Sequence, residues 1–169
     1  SSLLHIIKDE ILKDVADENK IYINFEAINL LSINSANSLL EYLKPLLEDV
    51  KGKVYFFFDE IQVIDGWEEV ISDLKHNRDY DIFLTSSNKK LISSLSEKYV
   101  EFEIQPFTFS EFKKAFENME LSKENLFYKF IQLGGLPFLK YFDLDETPSF
   151  EYLNDIYNTV LVKDVLQYN

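Results

Sequence analysis

Val54-Tyr55-Phe56-Phe57-Phe58-Asp59-Glu60 is the stretch on which the reading of the fold turns. An unbroken apolar run from Val54 to Phe58 ends in two acids. A strand with one wet face alternates apolar and polar residues, whereas one covered on both faces is apolar throughout. The run therefore reads as a central strand of a parallel sheet. In open α/β sheets ligands sit beyond the carboxyl ends of the strands, which is where Asp59 and Glu60 fall. One acid could hold a magnesium ion and the other orient water. Taken alone, the pair is better read as solvating a strand end, since turns favour Asp.

Working outward, Leu3, Leu4, Ile6, Ile7, Ile11, Leu12 and Val15 recur at helical spacing, which predicts an amphipathic helix up to about Asp17. A strand is expected from Ile21 to Phe25. A helix capped near Ser35 follows, carrying Leu39, Leu40, Leu43, Leu46 and Leu47, with Pro45 placed to kink or shorten it. After the acids, Gly66 to Asn77 reads as a helix with Trp67, Val70, Ile71 and Leu74 inward. Asp81 to Thr85 reads as a strand, Lys89 to Lys98 as a helix, and Tyr99 to Ile104 as a last strand before Pro106. Repeating strand-helix order implies an α/β fold with a parallel sheet and right-handed crossovers.

Beyond Pro106 the strand signals stop. Ser110 to Asn118, Lys123 to Leu133 and Ser149 to Gln167 are patterned as helices, broken by Gly134-Gly135-Leu136-Pro137 and a polar stretch from Asp143 to Pro148. The expected organisation is a sheet domain over 1–105 and a small helical lid subdomain over 106–169.

Composition bounds the function. With 169 residues, 46% hydrophobic and 15% aromatic, the chain can build one sizeable core and a small appendage. Cysteine is absent, which removes disulfides and thiolate metal sites. No apolar stretch is long enough to span a bilayer and no secretory signal opens the chain, so the expectation is a cytoplasmic protein with no membrane partner. A net charge of -13 opposes a broad grip on nucleic acid, which needs basic surface to displace counterions. Arg78 is the only arginine, which matters because phosphoryl-transfer enzymes often use an arginine finger.

Four motifs occur in a fixed order. They are Asp59-Glu60-Ile61-Gln62 followed by Gly66-Trp67, then Thr85-Ser86-Ser87-Asn88, then Pro106-Phe107-Thr108-Phe109-Ser110-Glu111-Phe112, and finally Gly134-Gly135-Leu136-Pro137. This set resembles the prokaryotic AAA-type P-loop ATPases of the AAA+ superfamily, over essentially the whole chain. The resemblance implies a P-loop NTPase-like sheet with a C-terminal helical lid, and ATP and Mg2+ as cofactors. It implies that Asp59 contacts magnesium through water, that Glu60 polarises the attacking water, and that Asn88, with Thr85 or Ser87, reads the γ-phosphate. Asn88 and Ser87 are equally suited to cap a helix. Gln62 is expected to hydrogen-bond the turn, and Trp67 to be a packing anchor. Phe107, Phe109 and Phe112 are expected to form a hydrophobic hinge, and Gly134 and Gly135 a turn with positive φ.

The chain also departs from that pattern. Its four glycines are Gly52, Gly66, Gly134 and Gly135, so no Gly-x-x-x-x-Gly-Lys-Ser/Thr loop occurs within it. Ser1-Ser2-Leu3-Leu4 reads as the start of the helix after such a loop, which makes Ser1 a candidate magnesium ligand; an ordinary cap is the alternative. In the family's sheet order the missing first strand lies between the sensor strand and the last one, so open edges and self-association through them are expected. Glu97-Lys98 stands where relatives carry Gly-Arg, and Ser86 replaces a glycine. Two readings follow: a fragment of a magnesium-dependent ATPase, inactive by itself, or a nucleotide-independent protein-protein interaction domain on a degenerate fold.

Overall fold

The structure, a computed structural model, describes residues 2–27, 32–76, 79–87 and 99–167, with only the backbone described over 163–167. The chain divides into two units, Ser1–Val100 and Glu101–Asn169.

Three strands form the sheet of the first unit: β1 (Lys20–Asn24), β2 (Val54–Asp59) and β3 (Tyr80–Leu84). They run parallel in the order β1-β2-β3, with Phe56 in register with Ile21 on one side and Ile82 on the other. Parallel neighbours need crossover connections. Here α2 (Ala36–Leu47) and α3 (Trp67–Lys75) supply them, and both pack on one face against Val54, Phe56 and Phe58. Period-two alternation sends Tyr55, Phe57 and Asp59 to the other face. Phe57 lies flat on Phe83 there, with ring centroids 5.2 Å apart. The helix α1 (Ser2–Ile6), extended by a π turn over Ile7–Ile11, lies on the same side and brings the His5 ring to 4.6 Å from Tyr22. Both faces of β2 are thus covered, which is why its apolar run is continuous. Phe56, Phe57 and Phe58 are all fully buried, at about 1.5–3 kcal/mol each.

Local chemistry sets the helix starts. Ser35 caps α2 in a reciprocal box with Ser38, and the Ala36 N–H donates to the Asp65 carbonyl at 2.8 Å, tying α2 to the loop after β2. Pro45 sits in the last turn, and α2 runs past it to Leu47 without shortening. Trp67 is buried in the main cluster, the anchor its sequence position predicts.

Two elements differ from the sequence expectation. The first helix stops at the π turn, because Leu12 leaves helical geometry and residues 12–15 form turns instead of continuing to Asp17. Ile6, Ile7, Ile11 and Val15 give the right periodicity, but as β-branched residues they favour helix only weakly. The segment Tyr99 to Ile104 is not a strand. Val100, Phe102 and Ile104 are more than 70% exposed, because no strand among the described residues offers them a ladder. Lys89 to Lys98 lies outside the described residues.

The second unit holds α4 (Phe109–Ala115), α5 (Lys123–Leu133), a 3-10 stretch over Pro137–Phe142, and α6 (Glu146–Gln167). Thr108 caps α4 in a box with Glu111, and Ser122 caps α5. Phe112, Phe116, Leu126, Leu133, Leu139 and Leu144 form its core, with Phe107 and Phe109 packed against them. The adjacent glycines serve different needs. Gly134 has φ 78° and ψ -167°, a region essentially reserved for glycine. Gly135 does not have positive φ; a Cβ there would lie 2.3 Å from the Phe107 carbonyl oxygen, and its own carbonyl accepts the Phe107 N–H at 2.7 Å. Among the described residues no helix is long and apolar enough to cross a membrane.

Candidate functional site

The carboxyl end of β2 is where polar groups converge. Asp59 is completely buried, and each carboxylate oxygen accepts a hydroxyl. Tyr22 Oη donates to Oδ2 at 2.8 Å and Thr85 Oγ1 donates to Oδ1 at 2.6 Å. The strand order makes this possible. Phe58 is in register with Leu84, so Thr85 follows β3 directly opposite Asp59, and Tyr22 is in register with Phe57, one step along the same face. Burial, then the hydrogen bond to Asp59 and its charge, push the Tyr22 hydroxyl up to about 12, so it stays protonated and donating.

Glu60 follows with φ 58° and ψ 50°, left-handed geometry that a non-glycine residue adopts at a cost of about 1–3 kcal/mol. Thr85 holds this turn as well: its Oγ1 accepts the Glu60 N–H at 3.1 Å and its carbonyl accepts the Ile61 N–H at 3.1 Å. The Glu60 side chain is positioned by two donors on one oxygen. Gln62 Nε2 reaches Oε2 at 2.6 Å and Ser87 Oγ reaches it at 2.9 Å, while Gln62 Nε2 also donates to Ser87 Oγ at 3.0 Å. Among the described residues no donor reaches Oε1.

The structure therefore brings together Asp59, Glu60, Thr85 and Ser87, four of the residues singled out from sequence. Thr85 and Ser87 contact the two acids directly. Asn88 and Ser1 lie outside the described residues, as does Arg78. Gln62 does more than bond its own turn, since it links Glu60 to Ser87. Tyr22 was missed. Its only local signal is a polar-tipped aromatic out of phase with Ile21 and Ile23, and its target becomes visible only when β1 is placed beside β2.

Among the described residues no cluster of three His, Asp or Glu side chains could enclose a metal ion by itself. Asp59 nevertheless suits a hydrated cation. Carboxylate oxygens are the hard ligands that Mg2+ takes directly or through its waters, and the Tyr22 and Thr85 hydroxyls orient both of them here. A nest for phosphates is not encoded in the 169 residues, since no glycine-rich loop with a following lysine is present.

Residues 1–113 match the profile of a family described as AAA domain. The chain belongs to this AAA domain family. The α/β architecture with its parallel sheet is accordingly that of a P-loop NTPase-like fold, and the family is one of ATPase-like, nucleotide-binding domains. An uncharacterized protein of Haemophilus influenzae is 29% identical over 160 residues, covering 89% of the chain and 39% of that protein. An uncharacterized protein of Methanocaldococcus jannaschii is 35% identical over 162 residues, covering 87% of the chain and 36% of that protein. The AAA domain chain thus spans less than two fifths of the length of either relative. No solved structure matches it.

Proposed function

We propose that this AAA domain chain is the portion of a magnesium-dependent ATPase that carries its catalytic carboxylates, working in the cytoplasm. The observation that carries the reading is the asymmetric treatment of Glu60. Gln62 and Ser87 fasten one oxygen and no described residue takes the other, on a backbone held in a strained turn beside a fully buried Asp59. A strained acid at a strand's carboxyl end is built to take a proton from water. In this reading Asp59 would hold the water shell of Mg2+, while Thr85 fixes Asp59 and the Glu60 turn together. Glu60 would orient the attacking water, and Asn88, with Thr85 or Ser87, would read the γ-phosphate. Magnesium, when bound, supplies charge neutralisation for the phosphates. The glycine-rich phosphate cradle would come from a part of the longer protein outside these residues, in line with the greater length of both relatives, and Ser1 would join the metal shell. The test is a fluorescent ATP titration of the longer protein, with and without Mg2+. Magnesium should tighten binding to the native protein and lose that effect in Asp59→Asn; equal magnesium dependence in both would overturn the assignment.

A second reading is a nucleotide-independent interaction domain on the same fold. The sheet supports a related proposal, self-association of the chain. β3 pairs only with β2 among the described residues, so its outer edge can accept a strand from a second copy. Light scattering at rising concentration should then show a dimer, and a strict monomer would contradict it.

A further inference from the structure

The second unit carries a feature that the ATPase reading does not use. Between α4 and α5 lies an open groove of about 570 Å³. Phe116, Met119 and Leu121 contribute its apolar lining, and Lys113, Lys114 and Lys123 also line it. The unit has six lysines in all, Lys129, Lys140 and Lys163 being the others, and no arginine. Half of its fixed positive charge therefore gathers on one groove, in a chain whose net charge is -13. Lys129 is paired with Glu146. Lys113, Lys114 and Lys123, by contrast, are in no ion pair among the described residues. Glu117 is the one carboxylate lining the groove. Neighbouring Glu124 is held mainly by hydrogen bonds from its own backbone N–H and Ser122 at the start of α5, with a smaller contribution from the Lys123 charge, and together these keep its carboxyl below the usual range.

We propose that this groove docks an acidic peptide segment of a partner protein, which lays a large apolar side chain on Met119 and Leu121 while its carboxylates meet the three ammonium groups. Charge complementarity selects an acidic ligand, because unpaired ammoniums beside an apolar floor favour an anion that also brings hydrocarbon. The apolar floor and the short spread of the lysines select a peptide over a nucleic acid, whose backbone calls for a longer basic track. Acidic residues dominate the rest of the chain and would repel a polyanion that extends beyond the groove. This surface is independent of Asp59 and Glu60, so it stands or falls apart from the ATPase reading.

The test is selection of random peptides displayed on phage against the whole chain, followed by affinity measurement of the winners by fluorescence anisotropy. The expected winners combine several Asp or Glu with one Phe, Leu or Ile. Their binding should fall about tenfold or more in Lys113→Glu/Lys114→Glu/Lys123→Glu, as reversal of three exposed charges predicts, and should weaken as salt shortens the Debye length. Met119→Ser, which keeps every charge, should weaken it as well. Circular dichroism confirms that each variant is folded. Winners without acidic residues, no winners above the charge-reversed background, or winners indifferent to both variants would overturn the proposal. Displacement of the winners by oligothymidylate at lower concentration than by free peptide would assign the groove to nucleic acid instead.

Discussion

Replacing Tyr22 with Phe and Thr85 with Val tests how Asp59 is held. Each change keeps the side-chain volume and removes a hydroxyl that donates to a fully buried carboxylate, at 2.8 Å and 2.6 Å respectively. A hydrogen bond to a charged group contributes about 1.5–3 kcal/mol, so Tyr22→Phe should destabilise the first unit by about that amount. Thr85→Val also strips the acceptor of the Glu60 N–H, adding about 0.5–1.5 kcal/mol, for a total of about 2–4.5 kcal/mol. Urea unfolding followed by tryptophan fluorescence is the assay, because Trp67 is the only tryptophan and is buried in the core of that unit. With a slope of about 1–3 kcal/mol per molar, a loss of 2 kcal/mol moves the midpoint by roughly 1 M. In an Asp59→Asn background the cost of Tyr22→Phe should shrink by about 1 kcal/mol, since the acceptor is then neutral. A Tyr22→Phe protein within about 0.5 kcal/mol of the native one, at unchanged slope, would refute the reasoning.

Alkaline pH probes the same hydroxyl. Its folded value of about 12 lies above the ordinary 10.0, so the neutral phenol stabilises the fold fully below pH 10 and that contribution disappears as pH rises to 12. The stability difference between the native protein and Tyr22→Phe should therefore shrink over this window, by about 1–2 kcal/mol after allowing for partial solvent screening, and a difference that stays flat would contradict it. Gly135→Ala should disrupt the second unit, because the added methyl meets the Phe107 carbonyl at 2.3 Å; thermal melts by circular dichroism should show it well below native, with Gly134→Ala lower by about 1–3 kcal/mol for its φ of 78°. Phe57→Ala should cost about 3–5 kcal/mol in urea titration, since the ring is fully buried and stacked on Phe83.

Much of the fold was legible because its signals are local. The apolar run to Phe58 announced a doubly covered strand, Ser35 marked the start of a helix, and Trp67 marked an inward face; each rests on residues adjacent in sequence. What stayed hidden depends on partners far along the chain. The alternation of Val100, Phe102 and Ile104 with Glu101 and Glu103 has a strand's period, but period alone provides no neighbour to pair with. Gly135 looked like half of a positive-φ turn, and the need for glycine there comes from the backbone of Phe107. In the site, two acids at a strand end were readable. The Tyr22 donor and the Gln62–Ser87 clamp were not, since each follows from strand order.

Single-turnover hydrolysis of ATP by the longer protein, native against Glu60→Gln, tests the central claim most directly. The account predicts that Glu60→Gln still binds nucleotide but loses about a hundredfold or more in rate, the range expected for removing a positioned base. Hydrolysis at the native rate by Glu60→Gln would contradict it.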